Sequence, residues 1–450
     1  MKLKQTDIGL IPDDWEVIRF GDIAEFKNGI NFSSDQKGEI GILTIDVLNM
    51  YGAGYAVKFD KLYRVDKKID NSYLLNQGDL LFVRSSLKLE GVGWAALFPG
   101  NNEPATFCGF IIRARIAESA FNKIFLTYLF RVGSIRSKLI SSSAKLGITN
   151  INQGNLGNIQ IPKPPLLEQK KIAYILSKIQ QAIQTQEQII KTTQELKKAL
   201  MQKLFTEGLN GEPQKQTEIG LIPESWEVVQ LGRYARILNG YAFKSTAYVK
   251  KGIPLIRISN VSFGFLIDKD TKYLPNSYLT KYNDYSLREG DLILSLTRPI
   301  TSGGMKYCFI EKKHLPTLMN QRVGRFKIID NKLSKEFLYH LVFSKYFIGE
   351  LQKLFGSSSQ QPNVSPTQLE SFLVPIPSNP EQVEIANSLT KLTLKYRSAE
   401  DSIILLKDLF NSALNKLMTG QIRVKDMEFE IEESLEKVPF TEEQNGAIPS

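Results

Sequence analysis

Two pairs of loops carry the side chains best suited to chemistry in this chain, and that chemistry is recognition of a polyanion. The run FVRSSLKLEG at 82–91 presents Arg84, Ser85, Ser86 and Lys88 directly after a strand-like GDLL. The run SLTRPITSGGMK at 295–306 presents Thr297, Arg298, Ser302 and Lys306 after a matching GDLI. A guanidinium fork or an ammonium bonds phosphate oxygens and guanine edges, and hydroxyls bond either. A second pair of loops holds Lys145, Thr149, Asn150 and Asn152 in one case, and Ser357 to Gln361 (Gln360 among them) with Asn363 in the other. Amide side chains can pair with two atoms of adenine. Loops of this composition are otherwise ordinary solvated turns, so the residue types permit DNA contact without requiring it.

Constellations for catalysis do not assemble. His314 and His340 are the two histidines, and they share no metal-ligand or triad spacing. GYAFKST at 240–246 lacks the second glycine of a phosphate-cradling loop, and GVGWAA from Gly91 shows no following helix of a dinucleotide fold. The acids of PDDWEV at 12–17 are not repeated in PESWEV at 223–228, where Ser225 replaces Asp14. Cys108 and Cys308 do not form a disulfide framework or a zinc site and are expected to be reduced. No metal and no cofactor is expected on this chain.

Charge agrees with a polyanionic partner. The net charge is +10 over 450 residues, and residues 425–450 hold eight acids against two bases, −6, which leaves +16 on residues 1–424. Such a body suits nucleic acid or an anionic surface. The acidic stretch 425–450 is expected to be a disordered, solvating extension. There is no apolar signal core at the start and no run near the ~18 residues of a membrane span. The expectation is a soluble, cytoplasmic protein that makes no membrane contact.

The elements that must position these loops come in duplicate. TDIGLIPDDWEVIRFG at 6–21 recurs as TEIGLIPESWEVVQLG at 217–232, with ten of sixteen positions identical. GDLLF from Gly78 recurs as GDLIL from Gly290, and IPKPPLLEQKKIA from Ile161 recurs as VPIPSNPEQVEIA from Val374. Each half therefore runs through a lead-in, a mixed body, a proline-rich stop and a helix. Short β-rich runs such as GILTIDVL, DLLFV, FIIRARI, DLILSL and RVGRFKII, with helical patches at 121–140 and 334–355, predict an α+β body containing a sheet. The boundaries read as domain one at 1–165, a helix and linker at 166–213, domain two at 214–378, a helix at 379–424 and the tail.

After the prolines the period becomes that of a heptad seam. In the second copy Ile385, Leu389, Leu392, Tyr396, Ala399, Ile403, Leu406, Phe410, Ala413 and Leu417 alternate by four and three. In the first copy Ile172, Leu176, Ile179, Ile183, Ile190, Leu200 and Leu204 keep the register, with Gln186, Thr193 and Lys197 between them. Each helix is the natural partner of the other. Because the chain runs out along one and back along the other, the pair is predicted to be antiparallel, with a domain at each end and an approximate two-fold axis.

The doubled IGLIP-x-x-W-E lead-in, the Q-x-N loop at 361–363 and the IP-x-PP-x-x-EQ-x-x-IA entry to a long helix resemble specificity subunits of type I restriction–modification systems. The resemblance covers about 1–420. It implies two target-recognition domains, each binding half of a split sequence in double-stranded DNA, separated by two antiparallel helices. It implies a non-catalytic chain in a complex whose two methyltransferase subunits methylate adenine with S-adenosylmethionine. Two restriction subunits, using ATP and Mg2+, can join them to translocate and cut DNA. It favours Gln360, Gln361 and Asn363, with Thr149 and Asn150, as DNA contacts, although GITNIN in the first copy departs from QQPNVS in the second. It assigns the lead-ins and helices, with Glu168, Gln169, Glu381 and Gln382, to the partner-binding part.

Overall fold

A computed structural model describes residues 2–428 apart from 53, 87, 118, 142–149, 269, 302–303 and 355–362. The described chain divides into two compact units. The first comprises residues up to Ile189 together with those from Ala399 onward, and the second is Ile190–Ser398. The first long helix, Leu166–Glu207, and the second, Asn379–Met418, each begin in one unit and end in the other.

Each unit is built on an antiparallel sheet. In the first its order is Ala24–Asn28, Ile111–Ile116, Leu80–Val83, Ala95–Leu97. In the second it is Ala235–Asn239, Val323–Ile328, Leu292–Ser295, Tyr307–Phe309, with Phe263–Gly264 added in parallel at the edge. The GDLL runs explain themselves here. Leu80 and Phe82 point into the core that faces the helices, while Leu81 and Val83 point into a second core shared with a smaller sheet. A strand covered on both faces needs apolar residues at every position rather than at alternate ones. Leu292 and Leu294 repeat the first role and Ile293 the second. The acid of the motif is structural: Asp79, almost fully buried, accepts from the Asn76 N–H at 2.8 Å and pairs with Arg115 at 2.7 Å.

The body is locked onto its helix by the first turn after the prolines. Trp15, fully buried, donates its indole N–H to Glu168 at 3.0 Å, and Trp226 donates to Glu381 at 2.9 Å. The neighbouring glutamines are buried too. Gln169 accepts from the Asn122 N–H and donates to the carbonyls of Ala120 and Pro164. Gln382 accepts from the Ser334 N–H and donates to the carbonyls of Lys332 and Pro377. Glu168, Gln169, Glu381 and Gln382, which the resemblance put in the partner-binding part, are thus engaged within the chain. Their polar atoms bond within the chain, the two glutamines to main-chain groups just before the helices Lys123–Leu129 and Lys335–Leu341.

All ten seam positions on each long helix are buried or half-buried, including the polar Gln186, Thr193 and Lys197. In the first unit Ile172 and Leu176 share a core with Leu414, Leu417 and Met418, and Glu187 faces Lys407 at 3.9 Å. In the second, Leu204 and Phe205 share a core with Ile385 and Leu389, and Lys197 lies beside Arg397. Within each unit numbers rise on one helix as they fall on the other, so the paired segments are antiparallel. Burial and the Arg397 guanidinium push the Lys197 ammonium down to about 8.

The segment after the second helix extends the first unit further than the charge pattern suggested. Val424 is buried, Arg423 bonds both Glu168 and Asp14 at 2.7 Å, and Lys171 donates to the carbonyls of Lys425 and Met427. The acidic extension thus starts as ordered chain at 425–428, and 429–450 lie outside the described residues. Asp14 is held below the usual carboxylate range by its hydrogen bond from Arg423.

Two outcomes follow from this packing. Glu168→Ala leaves Arg423 and the Trp15 N–H without their acceptor in a buried site, and should destabilise the first unit by about 3–5 kcal/mol in denaturant unfolding. A change of well under about 1 kcal/mol would contradict the buried pair. His340 is buried against Thr390, its Nε2 at 3.1 Å from the hydroxyl, and burial pushes its imidazole down from 6.5 to about 3. Between those values the unfolded chain binds a proton there that the folded chain does not, so stability falls as pH falls. The drop in melting temperature from about pH 7 to about pH 5 should be shallower in His340→Gln than in the native chain. Parallel slopes would refute the assignment.

Candidate nucleic-acid interface

In each unit, loops remote in sequence are drawn to one edge by backbone hydrogen bonds. The strand Leu80–Val83 continues into Arg84, whose carbonyl accepts from the Ile151 N–H at 3.0 Å, and Ser85 bridges Asn150. In the second unit the Leu296 carbonyl accepts from the Val364 N–H at 2.9 Å, and Thr297 bridges Asn363. There the Thr297 hydroxyl also donates to Asn363 Oδ1 at 2.6 Å. A third segment joins from the turn that enters the sheet's central strand. The Arg84 N–H donates to the Phe110 carbonyl at 2.7 Å, and the Leu296 N–H to the Arg322 carbonyl at 2.9 Å.

A fourth segment closes the edge and explains a repeated Asn-Gly. The Ile30 N–H donates to the Phe107 carbonyl, and the Tyr241 N–H to the Met319 carbonyl. A Cβ on Gly29 would sit 2.1 Å from the Cys108 carbonyl oxygen, and one on Gly240 2.2 Å from that of Met319. Backbones approach so closely there that only glycine fits.

The predicted residues take distinct places on this edge. Arg84 is half-buried, with Nη1 3.4 Å from the Gly109 carbonyl, and Ser85 is half-buried in its bridge. The Ser86 hydroxyl accepts from Tyr51 and from the Lys88 N–H, both at 3.3 Å, and Lys88 is exposed. Arg298 is exposed and holds a positive φ of 48°. Lys306 is half-buried, its N–H bonded to the Pro299 carbonyl at 2.7 Å beside the ribbon Ile300–Thr301/Gly304–Met305. Asn150 and Asn363 are exposed at the edge. Asn152 works as a helix cap, accepting from the Asn155 N–H at 2.8 Å, and Ser365 caps the corresponding helix. Lys145, Thr149, Ser302, Gln360 and Gln361 lie outside the described residues.

Register separates two residues that composition had paired. Counting from the two GDL motifs, Leu296 stands opposite Arg84 and Arg298 opposite Ser86, so the arginines occupy different places in the two copies. Residues of the third and fourth segments were missed from sequence: Phe110, Asn320, Gln321, Arg322 and the partly exposed Tyr241. The signal available was NGI at 28–30 against NGY at 239–241, a repeated glycine before a β-run.

The remaining chemistry is structural. His314 accepts from the Glu311 N–H at 3.0 Å in a short turn, and both cysteines are buried, which raises each thiol to about 12. Among the described residues no cluster of His, Cys, Asp and Glu could hold a metal, and no helix is long and apolar enough to cross a membrane.

Comparison with known proteins meets this geometry directly. A family model described as type I restriction modification DNA specificity domain matches residues 12–195 and again 223–407, one match on each repeat. The chain belongs to that family. It is 33% identical over 429 residues to the type I restriction enzyme MjaVIII specificity subunit of Methanocaldococcus jannaschii, covering 93% of this chain and 95% of that one. It is 37% identical over 202 residues to the EcoAI specificity subunit of Escherichia coli, 43% of this chain and 34% of the relative. The solved S subunit of a type I restriction-modification system from M. genitalium shares the fold, with a TM-score of 0.58 at 15% identity over 92% of this chain and 98% of that one. A specificity subunit selects the DNA sequence and leaves the chemistry to other chains of its complex.

Gly240→Ala tests the architecture of the edge. The added methyl meets a backbone oxygen that has no free rotamer to yield, so the second unit should lose about 1–3 kcal/mol in unfolding measurements. Gly349→Ala meets no atom within 4 Å and serves as the control; equal effects would mean that the close approach is not a constraint.

Proposed function

We propose that each unit of this specificity subunit binds one half of a bipartite, asymmetric site in double-stranded DNA with the edge just described. The observation that carries this reading is the repeated convergence: the same backbone bonds gather four segments in both units, while the side chains they present differ. A common frame with unlike rims suits two readers of unlike sequences. Arg298, Lys88, Asn150 and Asn363 are exposed there and bear the groups that bond phosphates and base edges. The +16 on residues 1–424 supports a salt-sensitive backbone contribution.

In this reading the two long helices set the separation of the half-sites and receive two methyltransferase subunits, which methylate adenine with S-adenosylmethionine. Apolar residues off the seam support a docked partner: Leu394, Ile404, Leu405 and Leu409 on the second helix and Leu196 on the first are exposed. Restriction subunits using ATP and Mg2+ join the same cytoplasmic assembly.

Co-expression with its methyltransferase subunit, followed by genome-wide mapping of methylated adenine, should yield one motif made of two unlike halves around a fixed unspecified spacer. Inserting about four residues, one helical turn, into a long helix should change the preferred spacer and leave both halves intact. A single uninterrupted motif would refute the bipartite reading. An unchanged spacer in a folded insertion variant would refute the role of the helices.

A further inference from the structure

We propose that the turn Cys108–Phe110 and its counterpart Asn320–Arg322 form a base-reading loop, with Phe110 and Arg322 the pair that makes the two units prefer different bases. This rests on the reading of the chain as the subunit that chooses the DNA sequence, and assigns it a site that composition did not single out.

Backbone equivalence comes first. The Phe110 carbonyl accepts from the Arg84 N–H and the Arg322 carbonyl from the Leu296 N–H, so the two residues hold the same place in the two frames. That place adjoins the Ser85/Asn150 bridge in one unit and the Thr297/Asn363 bridge in the other. The turn is also pinned from its other side, where the Gln321 N–H donates to the Tyr241 carbonyl at 3.1 Å and to Asn320 Oδ1 at 2.7 Å. Its side chains are thus displayed by a fixed backbone, which is what discrimination between bases needs.

Chemistry at the shared place differs completely. Phe110 is 61% exposed on a polar edge. Arg322 is exposed, and among the described residues no carboxylate pairs with it. Gln321, beside it, is exposed as well. A lone exposed apolar residue carries no message by itself; an aromatic ring and a free guanidinium exchanged at one register position of two otherwise matching frames do. An Arg fork pairs with O6 and N7 of guanine, whereas a Phe ring contacts the thymine methyl. The second unit therefore reads a guanine through Arg322, and the first reads a thymine through Phe110.

Methylation mapping of the complete complex, with Arg322→Ala, Arg322→Lys and Phe110→Ala, tests the assignment. Arg322→Ala should turn one guanine of one half-site from a preference of about tenfold or more into near-indifference, and Arg322→Lys should weaken that preference, since an ammonium lacks the planar fork that fixes the two-atom contact. The other half-site and the spacer should be unchanged, which also shows that the variants fold and assemble. Phe110→Ala should relax one thymine in the opposite half-site. A native-like motif for Arg322→Lys, with Arg322→Ala lowering methylation evenly at all sites, would make Arg322 a phosphate contact and overturn the proposal. Unchanged motifs in all three variants would also overturn it. An uninterrupted native motif would instead refute the bipartite reading on which it rests.

Discussion

A buried tryptophan–glutamate hydrogen bond, made once in each repeat, is the joint on which the architecture turns. Trp15 reaches Glu168 and Trp226 reaches Glu381, joining a lead-in to the first turn of a helix some 150 residues later in sequence. A carboxylate in such a place is costly without partners. Both are completed by chain that leaves the opposite long helix: Arg423 and the Val424 N–H for Glu168, the Leu209 N–H for Glu381. The glutamine after each glutamate ties in the loop that enters a short helix of the body, Lys123–Leu129 in the first and Lys335–Leu341 in the second. Entry angle and register of each helix on its body are therefore set by buried or half-buried polar bonds, where misplacement leaves unpaired groups.

Given that joint, the rim of each unit is free to differ. Its four segments are gathered by main-chain bonds that any residue but proline can make, apart from the glycines where backbones cross. Side chains on the exposed edge carry little of the fold's stability, so Phe110 can stand where Arg322 does, and Ser86 where Arg298 does. A stable frame with an exchangeable rim is the physical requirement for two readers made from one duplicated fold.

The helix seam shows where pattern and packing agree and where they part. Residues repeating by four and three identified the stripe, and the polar Gln186, Thr193 and Lys197 that its register includes are buried or half-buried with the rest. Lys197 lies on the stripe with its ammonium 5.7 Å from the centre of the Tyr339 ring, and burial and Arg397 weaken its hold on the proton. Periodicity marks the face of a helix and the polar residues on it, but not the distant groups that each of them meets.

Duplication, helix spans, the GDL strands and the absence of local catalytic spacing were determined by sequence alone, because each is a matter of period, composition or neighbouring residues. The hydrogen bonds of Glu168 and Gln169 were not legible in sequence, since their partners Trp15, Asn122 and Arg423 are distant in the chain and only folding brings them near. For the same reason composition selected Arg84 and Asn150 separately, while tertiary structure alone placed them on adjoining segments, offset Arg84 from Arg298, and added Phe110 and Arg322. Periodicity acts over a few residues and is written in order along the chain; an edge built from four crossing segments exists only once backbone hydrogen bonds have closed loops of tens of residues.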